Sequence, residues 1–147
     1  MSLIEMLQRG DIEELPAGKQ EIEELITKAE RRLEETSSVD VYEDMRLELA
    51  YLSILYCATA ALRASGFRVT RGEGHHVRTL ETLKHTLRVP SEKVDYYQNL
   101  RKARNVGLYD KLLDVSKVQL HEAIEEAGNL LRETRSWLRE HHPELIE

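Results

Sequence analysis

Between Leu49 and Leu62 the only polar side chains are Ser53, Thr59 and the hydroxyls of Tyr51 and Tyr56. A helix that is apolar on nearly every side is buried on nearly every side, so this stretch is expected to be the element around which the rest of the chain packs. At fourteen residues the run falls short of the roughly 20 that cross a bilayer as a helix, and it reads as a core helix. Ala50, Ala58, Ala60, Ala61 and Ala64 let neighbouring helices approach closely. The helix is predicted over residues 41–65, with Asp40 as its N-cap and Gly66 as the residue that ends it.

Amphipathic segments flank it. Over residues 19–36, Ile22, Leu25, Ile26, Ala29 and Leu33 recur at three- and four-residue steps, the spacing of one helical face. Residues 67–74 read as a loop. A short helix is predicted over 75–87, with Val77, Leu80, Leu83 and Leu87 on one stripe. Pro90 disfavours helix at Val89, and the next helix is predicted over 91–108. The last, capped by Asp114 or Ser116, runs to about His141. Its stripe is Leu120, Ile124, Ala127, Leu131, Thr134 and Leu138, widened by Leu130 and Trp137. Short links favour antiparallel neighbours, so the expected fold class is all-α, an up-and-down bundle of four to five helices. Residues 19–147 form one domain in this reading. Residues 1–18, broken by Gly10, Pro16 and Gly18, form a short helix or tail.

Composition narrows the function. Seven glycines and three prolines are few for a many-turned β fold. A single cysteine, Cys57, excludes an internal disulfide framework and a cysteine-based zinc site, and it is expected to be a packed thiol. No metal or cofactor is expected. No basic segment followed by an apolar stretch opens the chain, so a cytoplasmic location without a membrane partner is the expectation. Residues 1–50 carry fourteen acidic and six basic side chains, residues 51–104 four acidic and ten basic, and residues 105–147 nine acidic and five basic. An acidic protein with a basic middle does not coat nucleic acid indiscriminately, but that middle can hold a phosphate locally. The acidic N-terminal helix lying against the basic middle is the plainer explanation of the split.

The helix predicted from Ser91 carries polar groups where apolar ones belong. At about 100° per residue, Val94, Tyr97, Leu100 and Leu108 define an arc around Arg101. Arg104 and Asn105 fall inside that arc, and Tyr109 lies at its edge. Burying such groups without partners costs several kcal/mol. Either they meet carboxylates such as Glu43 or Glu48, or the stripe opens onto a ligand or a second subunit.

The string Arg101-Lys-Ala-Arg-Asn-Val-Gly-Leu-Tyr-Asp110 resembles the signature of the HEPN superfamily, small all-α domains found mostly as homodimers. That signature is an Arg, usually followed by a polar residue, and a His four to six positions on. Arg104 matches the Arg, Asn105 the polar residue, and Tyr109 stands where the His would be. The order of helices resembles the family over about residues 20–140. The resemblance implies a bundle whose motif helices meet across a dimer to form a composite cleft. It implies binding of RNA or a nucleotide through Arg104, Asn105 and Tyr109, with metal-independent endoribonuclease activity and a place in a toxin–antitoxin pair, beside an antitoxin or nucleotidyltransferase, among the family's roles. Whether this chain is an enzyme is left open by the tyrosine: with an ordinary pKa near 10 it is a poor base, whereas histidine titrates near neutrality. The alternative is a catalytically inactive interaction or regulatory module in which the same residues stabilise a dimer interface.

Arg101 belongs with the binding candidates by position. Arg71, His75 and His76, in the Arg-Gly-Glu-Gly-His-His run, join them, because a helix start beside an arginine suits an anion. A flexible glycine turn is the bland reading of that run. His75 or His76 would supply the missing imidazole if the loop folds onto the motif helix.

Overall fold

The computed structural model describes residues 2–38, 40, 42–109 and 116–147, with the side chains of 104–109 outside that description. In chain order it contains α1 (Leu3–Gln8), β1 (Ile12–Glu14), α2 (Lys19–Glu35), α3 (Glu43–Ala64), β2 (Phe67–Val69), α4 (His75–Glu81), α5 (Ser91–Tyr109) and α6 (Lys117–His141). Short 3-10 turns follow α4 (Thr82–Lys84) and α6 (Pro143–Leu145). The fold is all-α apart from one pair of three-residue strands.

The apolar run dictates the architecture. Tyr51, Ile54, Cys57, Ala58, Ala60 and Ala61 of α3 are fully buried, and α3 packs chiefly against α2 and α6, then against α5. The full helix is long and apolar enough to cross a membrane by length and composition, but 67% of that window is buried inside the bundle. Ser53 Oγ donates to Ala29 O at 2.8 Å, and the Arg63 side chain reaches Glu21, so α2 and α3 run antiparallel. Arg135 of α6 pairs with Glu30, and Gly128 lies beside Leu33, so α6 is antiparallel to α2. From α6, Leu120, Ala127, Leu130, Leu131, Thr134 and Leu138 are buried as the stripe predicts, and Trp137 packs half-buried against the core. Ser116 caps α6 with a complete capping box to Gln119; Asp114 lies outside the described residues.

The N-terminal segment contains the short helix α1 and also joins the bundle. β1 pairs antiparallel with β2, Ile12 opposite Val69 and Glu13 opposite Arg68. Met6, Ile12, Leu62 and Val69 close a second small core beneath it. Residues 67–69, expected as loop, are therefore strand. Gly66 makes the turn possible: its φ of +91° is a left-handed conformation that side chains resist. Arg63, nearly buried, clamps the assembly. Its Nε and Nη2 donate to the Glu21 carboxylate, Nη2 also to Pro16 O (3.2 Å), and Nη1 to Phe67 O (3.2 Å) and Leu15 O.

Two boundaries differ from expectation. The N-cap of α3 is Tyr42, extended and without a side-chain cap bond, rather than Asp40. Glu43 and Asp44 place negative charge in the first turn instead, where the helix dipole favours it. The helix expected through Leu87 leaves α geometry after Glu81. The hydroxyls of Thr79, Thr82 and Thr86 each donate back to a carbonyl three or four residues earlier, and such competition weakens a helix. Arg88 then turns left-handed with φ of +59°.

Candidate nucleic-acid interface

α5 is anchored by Val94, Tyr97 and Leu100, all buried. That leaves Gln98 and Arg101 on the side toward α4. Gln98 is itself almost buried, and its amide is fully used. Nε2 donates to Val77 O at 2.9 Å and to Glu81 Oε1 at 3.3 Å, while Oε1 accepts from Arg101 Nε at 3.0 Å. Glu81 in turn holds Lys84 at 2.7 Å. One glutamine thus ties α4, at Val77 and Glu81, to the middle of α5 and holds the half-buried Arg101 side chain.

His76, next to Val77, reaches α3 instead. Its Nδ1 lies 3.2 Å from the hydroxyl of Tyr51, a residue at the centre of the core helix with no exposed surface. The ring is therefore oriented by an immobile partner. His75 turns away from it, their ring centroids 6.2 Å apart, onto a cleft that Arg71 also lines. So the structure ties Arg101, through Gln98, to the backbone of Val77, the residue after His76, and places Arg71 and His75 on a separate cleft. Arg104, Asn105 and Tyr109 continue along the backbone of α5, and their side chains lie outside the described residues. Of the alternative in which Arg101 and Arg104 meet Glu43 or Glu48, the Arg101 side chain bonds Gln98, and the Arg104 side chain lies outside the described residues.

Where α5 faces α6, burial and acidic neighbours favour neutral phenols. Burial pushes the Tyr96 hydroxyl up to about 12, with the Glu122 and Glu126 carboxylates adding to it. Burial raises Tyr97 as well, helped by Glu126 and Glu133. Both phenols are held in the neutral form at neutral pH and are not bases. Cys57 sits fully buried, its thiol pushed up to about 12 by burial despite the Thr134 hydroxyl beside it, and so packs as expected. No group of three His, Cys, Asp or Glu among the described residues is arranged to hold a metal ion.

Sequence reasoning missed Gln98 and Tyr51. Gln98 stands three residues before Arg101, on the same helical face, and that spacing was the available signal. The Tyr51–His76 contact spans 25 residues of sequence and left no local trace.

An antiparallel helical bundle built round an apolar central helix, with a short α4 tied to a longer α5, defines a class of small α-helical domain. Residues 22–137 match the family described as HEPN domain, and the chain belongs to it. No curated protein and no solved structure matches the chain. Membership points in general terms to an RNA-related or nuclease-like function. The matched span begins within α2, so α1 and β1 lie outside it.

Proposed function

We propose that the protein binds RNA as a homodimer, the α5 helices of two copies meeting so that Arg101, Arg104, Asn105 and Tyr109 face a shared cleft with Arg71, His75 and His76 at its edge. The observation that carries this reading is the Gln98 junction, which ties Arg101 on α5 to the backbone of α4 at Val77. Arginine forks recognise phosphate oxygens bidentately. A neutral Tyr109 donates a hydrogen bond or stacks on a base.

The same parts favour metal-independent cleavage. The 2′-oxygen attacks phosphorus, its proton passes to a base, and the departing 5′-oxygen takes up a proton from an acid. His76, held by Tyr51, supplies the imidazole that the motif lacks at Tyr109. A cytoplasmic endoribonuclease of this kind fits the toxin side of a toxin–antitoxin pair, countered by an antitoxin or nucleotidyltransferase. Tyrosine at the motif position favours a second reading, in which RNA is bound without being cut or the motif only steadies the dimer.

Generic single-stranded RNA incubated with the full chain in EDTA separates these. We expect cleavage by the wild type and none by Arg104→Ala. Binding with no cleavage leaves the binding function alone. No binding, together with a monomeric Arg104→Ala variant, contradicts both and leaves a dimer-stabilising motif.

A further inference from the structure

We propose that the cleft between the C-terminal half of α3, β2 and the start of α4 is a nucleobase pocket. It would take the base of a nucleotide adjoining the phosphodiester that faces His76, and so confer base dependence on RNA recognition; this rests on the RNA-binding reading above.

The cleft has a volume of about 190 Å³. That is below the roughly 300 Å³ at which pockets begin to hold drug-sized ligands, and it suits one ring system rather than a whole dinucleotide. Its floor is apolar. Leu62 and Val69 are buried there. Thr59 and Thr79 line it too, and their hydroxyls are already committed, to Leu55 O and to His75 O, both at 2.8 Å. A bare phosphate finds few donors on such a floor, whereas the face of a heteroaromatic ring finds contact area.

The rim supplies the charge. Arg63 and Arg68 reach the cleft, but the first is saturated by Glu21 and three backbone carbonyls, and the second is paired with Glu13. Arg71 has no ion-pair or hydrogen-bond partner among the described residues, and it stands exposed on the rim with His75. An apolar floor under a cationic edge is the pattern of a base with its attached phosphate. Position completes the case. His75 and His76 are consecutive residues, one turned to this cleft and the other to Tyr51, so a strand crossing the start of α4 meets the two sites in succession.

The experiment compares, on the full chain, the affinities of a short oligoribonucleotide and of the same oligonucleotide with one internal base removed, so that its phosphates are unchanged. We expect the abasic oligonucleotide to bind the wild type about tenfold more weakly, the scale of one lost base contact. Thr59→Leu, which fills the cleft without disturbing a tertiary hydrogen bond, is expected to erase that difference. Arg71→Ala, on an exposed loop, is expected to weaken both oligonucleotides about equally. If binding still depends on Arg101 but ignores base removal, or if the base preference survives Thr59→Leu, the pocket is overturned and the RNA-binding reading stands. If neither oligonucleotide binds, the RNA-binding reading falls and the pocket with it.

Discussion

Arg63→Met is expected to lower the free energy of unfolding by about 2–4 kcal/mol, because the carbonyls of Leu15, Pro16 and Phe67 lose a charged donor and Glu21 loses its partner. That is a large share of the roughly 5–15 kcal/mol that holds a domain together, and denaturant unfolding reads it directly. The loss falls where α1 and β1 join the bundle, so protection of backbone amides in residues 3–15 should decline first. A pH dependence accompanies it. Hydrogen bonding to Arg63 holds the Glu21 carboxyl below its ordinary range. A lowered folded-state pKa stabilises the fold at pH values above the ordinary carboxylate range and loses that contribution as pH falls through the lowered value. The wild type should therefore lose stability on acidification by a margin that Arg63→Met no longer shows. A change under about 0.5 kcal/mol, within the scatter of surface substitutions, would mean that the clamp carries no weight.

His76→Ala is expected to reduce RNA cleavage by about 10²–10⁴-fold, the range for removing a general acid or base, while RNA affinity changes less than about threefold. Tyr51→Phe should act more mildly, because it leaves the imidazole in place and removes only the hydroxyl that orients it. A positioning role of this kind shows in the pH–rate profile: Tyr51→Phe shifts the limb that reports the imidazole, whereas a merely structural residue changes stability and leaves the profile where it was. Equal cleavage by wild type and His76→Ala would remove this histidine from the chemistry.

How far the sequence discloses such a molecule follows from the range of the interactions concerned. The core helix shows itself because fourteen residues without a charge have no soluble alternative to burial. The amphipathic faces of α2 and α6 are periodic, and the structure buries those faces. The β1–β2 pair is hidden because each strand has only three residues, too few for alternation to register, and its pairing joins residues more than fifty positions apart. Arg63 looks in sequence like any basic residue in a last helical turn; only the fold shows that three backbone carbonyls converge on it. At the candidate site, the α5 helix carrying Arg101 could be read from its apolar spacing. The residue that fixes Arg101 could not be weighed until Gln98 was seen to reach Val77 and Glu81 on another helix.

The account turns on α5 presenting arginine side chains to phosphate. The most direct test is the salt dependence of single-stranded RNA affinity for wild type, Arg101→Ala and Arg104→Ala. The wild type is expected to bind more weakly as salt rises, and each substitution to flatten the slope of log affinity against log salt by about 0.7, the increment of one lost phosphate contact on a single strand. Affinities that ignore salt, or slopes that both substitutions leave unchanged, would contradict it.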